Sequence, residues 1–534
     1  GLGCVVLIDG ATGAGKTRLV TEFAETLDDC SSYRAVCRRY RQSTPYFAST
    51  LLFGDVLGID RFRAEGRADR LRSVVEQAAP DLLPYLSLIG TALGIEVPES
   101  DEVALLAPEF RKARLEESVG RLLGAVLTGP TLLWLDDAQW LDEASRDLLS
   151  TVAASISDRP WMLCISGRRQ EQDDVVDAAA VVGITLGPLN DDDALQVVHS
   201  CTDDAPLASH VAAAIVDRAA GNPMFLNQLI ATAVSSADAD ELPESIEGVI
   251  TARIDQLLPD DRNVLRQLSV LGTGFRPQYA AVVLDEPASP ALFNRLGQFL
   301  EASPEWVQFR SSLVHHAAYG GLPYRQRRDL HGRVAESIER TQGGAALLSV
   351  HFSAAGRWAE AWRYSRNAGD LSRNSYANLE AAGFYEKALE AARYVPEATT
   401  EQRVAVLTAL GEAHYAAGLY DAAGSAFRRA RRLADQPVTV ARLCLEEAKV
   451  AHKRGSFSQA LRWTTKGRRA LEGLNVNAAQ ALRADLSVWA GGMRYSQGRY
   501  RLAMRIYEQA IEEAQQAGNQ RALAHAYYLH DAAR

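Results

Sequence analysis

Short apolar runs separated by longer amphipathic stretches mark the first third of the chain. The runs at residues 4–9, 33–38, 131–136, 161–166 and 182–187 have strand length. The stretches between them, including 110–127 and 143–156, carry the helical period. Strands alternating with helices predict a parallel sheet with helices on both faces. Residues 41–108 read as a helical insertion broken by Pro80, Pro84 and Pro98. After Gly187-Pro188 the strand signal fades, and residues 191–200, 206–219, 245–258 and 260–272 read as helices. A short strand is expected at 305–309, before a helix starting near Ser311.

From about residue 345 the pattern is almost wholly helical, rich in Ala and Arg, and it repeats. Leu410-Gly411 is followed by Gly418, Tyr420, Ala423, Phe427 and Ala430. The same skeleton recurs as Ala490-Gly491, Gly498, Tyr500, Ala503, Tyr507 and Ala510. Weaker copies hold Gly455, Phe457 and Ala460, and Gly356, Trp358, Ala361 and Ala368. These offsets match the tetratricopeptide pattern, in which small residues let paired helices approach and aromatics fill the gap. Residues 521–534 read as half of a further repeat, so the array is expected to be truncated here.

With 534 residues the chain is too long for one core, and its apolar fraction of 47% and charged fraction of 23% are ordinary globular values. The net charge of −10 argues against broad nonspecific nucleic-acid binding. Cys4, Cys30, Cys37, Cys164, Cys201 and Cys444 are scattered without a C-x-x-C, which reads as free thiols in a reducing cytoplasm. No apolar run is long enough to cross a membrane.

The chemistry is concentrated near the start. Residues 10–17 read Gly-Ala-Thr-Gly-Ala-Gly-Lys-Thr, a complete G-x-x-x-x-G-K-[ST] phosphate-binding loop, between the apolar run Cys4–Ile8 and a helical stretch. In that setting the main chain of Gly10, Ala11, Thr12, Gly13, Ala14 and Gly15 curls around phosphate oxygens at a helix N-terminus, with Arg18 in its first turn. Lys16 is the candidate for the β/γ-phosphates and Thr17 for a hydroxyl on Mg²⁺. Thr131-Leu132-Leu133-Trp134-Leu135-Asp136-Asp137 is a buried-strand pattern ending in two carboxylates. Asp136 is the candidate for the Mg²⁺ shell and Asp137 for the base that polarises an attacking water.

Taken together, several motifs resemble one family. Trp134-Leu135-Asp136-Asp137-Ala138-Gln139-Trp140-Leu141-Asp142 is similar to the acidic-strand signature of signal-transducing ATPases with numerous domains. More narrowly, it resembles the AAA-type ATPase modules of bacterial adenylate/guanylate cyclase fusions and large LuxR-type regulators. Gly221-Asn222-Pro223 followed by Phe225-Leu226 resembles the lid motif of that family, which implies that Pro223 lies against the adenine. Phe309-Arg310, Leu313 and Ala317-Ala318-Tyr319 resemble its winged-helix motif. Relatives carry a histidine after Phe-Arg that reaches the phosphates; here that position is Ser311, and His315 and His316 read as packing or surface residues. Relatives also place an arginine just past the strand at 161–166, which makes Arg168 the candidate γ-phosphate sensor, with Arg169 its competitor.

The expected architecture is an α/β P-loop NTPase domain at 1–188, a helical lid at 189–258, a winged-helix-like domain at 259–344 and an α-solenoid of tetratricopeptide repeats at 345–534. The resemblance implies a cytoplasmic switch that binds ATP or ADP with Mg²⁺ and hydrolyses slowly. Its repeats would receive a protein or small-molecule ligand, and activation would bring self-association. DNA would be reached only through a domain outside this chain. The other reading is an ADP-locked interaction scaffold without significant turnover.

Overall fold

The first strand, β1 (Cys4–Gly10), is the spine of a five-stranded sheet that also holds β2 (Ser31–Val36), β3 (Thr131–Asp136), β4 (Trp161–Gly167) and β5 (Val181–Leu186). A computed structural model describes residues 3–38, 41–59, 62, 64–168, 181–202, 206–235, 245–284, 288–304, 306–341 and 343–533. The strand order is β2-β3-β4-β1-β5 and all pairings are parallel. Parallel pairing needs crossovers, and the helices Lys16–Glu25, Pro108–Val126 and Glu143–Ala154 lie within them.

Alternation along the strands divides the core between two faces. Val6, Ile8, Leu132, Trp134 and Cys164 meet Val20 of the first helix. Val5, Leu133, Leu135, Leu163 and Ile165 face the other way, onto Leu115, Leu122, Leu148 and Leu149. All six residues of β3 are buried, as expected for an interior strand of a parallel sheet. The insertion contributes Leu52, Phe53 and Leu71 to that second core, through the helices Phe47–Val56 and Ala64–Ala78. Pro80 starts a 3-10 segment, Pro80–Tyr85, and Pro84 lies inside it.

The chain divides into two compact units. The first comprises residues 1–347 with 354–356 and 375–377, and the second holds 348–353, 357–374 and 378–534. Besides the sheet, the first unit carries the helices Asp191–Cys201, Ser209–Ala219 and Pro223–Ser235, packed around Leu226 and Leu229. It also holds a small antiparallel sheet of β6 (Gly274–Phe275), β7 (Leu300–Ala302) and β8 (Val307–Phe309), in the order β6-β8-β7. The sequence pattern shows only the last of these strands, because two or three residues are too few to display a period.

The second unit is built of helical hairpins. A Cβ on Gly411 would overlap the Phe427 ring, and one on Gly491 would overlap Tyr507. Gly369 stands in the same relation to Tyr385. Each glycine lies in the first helix of a pair and its aromatic sixteen positions on in the second, so the two backbones close over a ring with no side chain between them. The weak sequence copy at Gly356 makes Trp358–Asn374 the second helix of a pair. In the structure that helix also serves as the first member of a hairpin with Asn378–Ala391, through Gly369 and Tyr385.

Candidate functional site

Strand β1 runs into Gly10, the chain turns through residues 11–15, and the first helix begins at Lys16. Gly15 caps that helix in the left-handed region, with φ 96°. Gly13, with φ 85°, lies so close to the start of the helix Pro223–Ser235 that a Cβ there would meet Met224 Cβ at 2.6 Å and Asn222 Oδ1 at 2.7 Å. Lys16 folds back over the loop and donates to the carbonyls of Gly10 at 2.8 Å and Ala11 at 2.9 Å. Burial pulls its ammonium below the ordinary lysine value, against the opposing pull of Asp137, Asp136 and Asp9. Its charge is held by main-chain oxygens.

The acidic end of β3 stands against this loop. Thr17 Oγ1 donates to both oxygens of Asp136, at 3.2 and 3.1 Å. Ser166 Oγ, from β4, donates to Asp136 Oδ1 at 2.7 Å, and Arg34 Nη2, from β2, to Oδ2 at 2.7 Å. The carboxylate is buried, and these donors compensate its lost hydration. Arg34 also lies over the Trp134 ring, 4.2 Å from its centre, and Trp134 Nε1 donates to Ser166 Oγ at 3.1 Å. A hydroxyl and a carboxylate side by side are oxygen donors of the kind Mg²⁺ takes. Among the described residues no cluster of three or more His, Cys, Asp or Glu is placed to hold a metal. Mg²⁺ at Thr17 and Asp136 would therefore take its remaining ligands from phosphate and water.

Asp137 has φ 56°, a left-handed conformation that is unusual away from glycine. Its Oδ1 accepts from Gln139 Nε2 at 3.0 Å. Burial, reinforced by neighbouring Asp136, pushes its carboxyl above the usual aspartate value. A carboxylate so raised is a stronger base than a solvated one. Arg168, just past β4, is exposed, with its guanidinium 5.8 Å from the Trp140 ring centre. Arg169 lies outside the described residues.

The start of the helix Pro223–Ser235 joins the loop through one side chain and one main-chain bond. Asn222 Nδ2 donates to the carbonyl of Thr12 at 2.9 Å, and its Oδ1 accepts from the amides of Met224 and Phe225, each at 3.1 Å. The amide of Met224 also lies 3.2 Å from the carbonyl of Gly13. Pro223 opens the helix Pro223–Ser235, where its missing N–H costs nothing.

One cavity of about 850 Å³ gathers Thr12, Gly13, Gly15, Lys16, Thr17, Arg18, Asp137, Arg168 and Pro223. That volume lies within the ~300–1,000 Å³ typical of small-molecule and cofactor sites. Gly10 and Ala11 bind Lys16 from beneath, Ala14 lies beside Gly10, and Asp136 stands behind Thr17, so these four contribute without forming the wall. Arg18 is largely exposed and lies 3.5 Å from Glu22. Part of the wall comes from residues flanking the small sheet and from the helix Ser312–Gly320, through Thr273, Arg310, Ser311, His315 and His316. Ser311 caps that helix, its hydroxyl accepting from the amide of Val314 at 3.2 Å. His315 is 4% exposed, bonded to the Ser269 carbonyl at 2.8 Å and edge-on to Phe309. It is a packing residue; His316 is exposed.

Arg34, Ser166 and Gln139 were not legible as site residues. Arg34 and Ser166 reach Asp136 from neighbouring strands, and only the sheet order reveals that. Gln139 follows the acid pair by two residues, close enough for its spacing to have been a signal.

Residues 1–165 match the family model of the AAA ATPase domain. An AAA ATPase domain therefore begins the chain, and helical repeats follow it. An uncharacterized protein of Rhizobium meliloti (strain 1021) is 26% identical over 488 residues, which cover 83% of this chain and 45% of that protein. The chain thus spans less than half the length of this relative. Among solved structures, the signal transduction ATPase with numerous domains carrying a tetratricopeptide repeat sensor, from Pyrococcus horikoshii, matches 98% of this chain and 78% of its own, at 14% identity and a TM-score of 0.41. BtubC from P. vanneervenii matches 40% of this chain and 83% of its own, at 16% identity and a TM-score of 0.29. Structural likenesses this distant carry no functional argument.

Proposed function

We propose that this chain is the switch portion of a regulatory ATPase that binds ATP, hydrolyses it slowly, and holds ADP and ATP states with different contacts. The observation that carries the reading is the single cavity on which Lys16, Thr17, Asp137, Arg168 and Pro223 converge from four separate segments. On binding, the Lys16 ammonium would exchange the carbonyls of Gly10 and Ala11 for β- and γ-phosphate oxygens. Mg²⁺ held by Thr17 and Asp136 would neutralise phosphate charge. Asp137 would accept the proton of the attacking water, and Arg168 would meet the charge that develops on the transferring phosphoryl group. Asn222, bonded to Thr12, would pass a change in the loop to the lid.

In this reading the helical repeats take a protein or small-molecule ligand, and the activated chain associates with copies of itself. DNA contact belongs to a domain outside this chain, in the manner of LuxR-type or cyclase-linked regulators. No helix among the described residues is long and apolar enough to cross a membrane, and a cytoplasmic location suits the proposed switch. Calorimetry with Mg-ATP tests the site: Lys16→Ala should weaken binding about a hundredfold or more. Equal affinity in the variant and the parent would remove the site.

One observation favours a second reading, an ADP-locked scaffold without useful turnover. The Arg34–Asp136 ion pair, at 2.7 Å, neutralises the carboxylate that would hold Mg²⁺. Steady-state phosphate release no faster than that of Asp137→Ala would select the scaffold.

A further inference from the structure

We infer that the repeat unit carries a surface for the phosphate backbone of a nucleic acid, made by Arg428, Arg429 and Arg432 of the helix Tyr420–Leu433 and by Arg462, Lys466 and Arg469 of the helix Phe457–Ala470. This goes beyond the proposed switch, whose DNA-reading domain lies outside this chain. The net charge of −10 hides an uneven distribution. Residues 345–534 hold 26 Lys and Arg against 18 Asp and Glu, a net +8, which leaves −18 on residues 1–344. A basic region in an acidic chain points to a polyanionic partner.

The two helices are the second members of successive hairpins and stand side by side: the Arg431 guanidinium of one lies 4.7 Å from the centre of the Trp463 ring of the other. Their residues correspond at a spacing of 37 positions, so Arg429 matches Lys466 and Arg432 matches Arg469. Two arginines on these helices are used inside the unit. Arg431 donates to Glu447 at 2.5 Å, and Arg468 pairs with Glu513 at 2.8 Å. The other six cations are exposed and make no hydrogen bond or ion pair among the described residues. Glu447, whose carboxylate feels Arg428 and Lys466, is buried and held by Arg431. Glu386 and Glu390 of Asn378–Ala391, and Glu508 and Glu512 of Tyr500–Ala517, take the positions of Arg428 and Arg432 in the hairpins on either side. Crowded like charges repel one another, and an external anion relieves that repulsion.

The surrounding side chains decide which polyanion fits. A protein interface has an apolar centre with aromatic anchors and few charges. No exposed residue of Phe457–Ala470 is apolar. The Trp463 ring is covered by Arg431 and by Lys466, whose ammonium lies 5.1 Å from the ring centre. What remains is cationic, with the exposed hydroxyls of Ser425, Ser458 and Thr465 beside it. Such groups hold phosphate and sugar oxygens without reading bases.

Fluorescence anisotropy of the full chain with short mixed-sequence duplexes, one of DNA and one of RNA, is the test. Affinity should fall with salt at a log–log slope of about −5, that of roughly six neutralised phosphates. Tight binding of either duplex at about 50 mM salt supports the inference, and binding of neither overturns it. Arg429→Gln, Arg432→Gln, Lys466→Gln and Arg469→Gln together should weaken binding about a hundredfold or more and reduce the slope by about four. Arg429→Gln with Lys466→Gln alone should reduce it by about two. All four side chains are exposed, so the melting temperature should match the parent's. Unchanged affinity and slope in either variant at an unchanged melting temperature overturn the inference. Polyglutamate bound as tightly as a duplex of equal charge also overturns it, in favour of an acidic protein partner.

Discussion

The two units hold themselves together over different ranges of sequence. In the first, the decisive contacts are polar and distant: Thr17 meets Asp136 across 119 positions, Arg34 meets it across 102, and Asn222 reaches Thr12 across 210. In the second, the recurring contact is apolar and local, a glycine beneath an aromatic sixteen positions on. A repeat array is nearly one-dimensional, and each hairpin can be specified by its own residues. A ligand site has to gather charges that repel or dehydrate one another, and only a completed sheet can hold them together. Charge gathered from distant positions therefore marks the region where chemistry is expected, whereas the second unit pairs its buried Glu447 locally, with Arg431 sixteen positions earlier, alongside the glycine–aromatic contacts that serve packing.

The strongest way to break this contrast is Asp137→Ala. If the left-handed, desolvated acid is the base, turnover should fall about 10²–10³-fold while nucleotide affinity changes less than about threefold, as read by phosphate release and calorimetry. The parent's pH profile sharpens the same point. Because burial and Asp136 raise the Asp137 carboxyl, protonation should switch turnover off at a higher pH than an ordinary aspartate would. A profile flat down to the normal aspartate range would remove Asp137 from the mechanism.

Acid should also destabilise the first unit through His331, which is 1% exposed and bonded to the Tyr319 hydroxyl at 2.9 Å. Burial, with a smaller contribution from Arg327, pushes its imidazole from the usual 6.5 down to about 4. The folded chain thus prefers the neutral ring. Its contribution is complete above pH 6.5 and is lost as the pH falls toward 4, by about 3 kcal/mol. His331→Gln, which does not take up a proton there, should flatten the fall in melting temperature over that window.

Smaller effects test the packing side. Gly411→Ala forces a methyl group into the Phe427 ring and should cost about 2 kcal/mol in urea unfolding of the second unit. A change within about 0.5 kcal/mol would mean the helices can separate at no expense. Smallest of all is Asn222→Ala, which removes the cap on Met224 and Phe225 and should cost about 1 kcal/mol, seen as a lower melting temperature of the first unit.

These same particulars show what the sequence displays and what it conceals. The phosphate loop, β3 with its acids, and the Gly411 and Gly491 repeats are legible because each is a contiguous pattern with its own period. Strand β2 lies at 31–36 rather than 33–38 because it begins with two exposed serines, which give no apolar signal. Arg34 and Ser166 are hidden for a different reason. One is a charge on an edge strand and the other a small polar residue in a buried one, and neither is unusual until the strand order brings both to Asp136. The Gly369–Tyr385 pair follows the same spacing as its neighbours and keeps Ala381 and Ala388, but Tyr376 and Asn378 stand where the others have their glycine and tyrosine.

Asn222 has a consequence for how such a protein can change. One carboxamide both starts a helix and grips a loop 210 positions earlier, so no compliant segment lies between the two tasks. A loop displaced by an arriving anion would either carry the helix Pro223–Ser235 with it or tear the carboxamide from one of its two duties. Substitutions that retune the loop's resting position therefore retune that helix as well, and the pair is constrained to drift as one part.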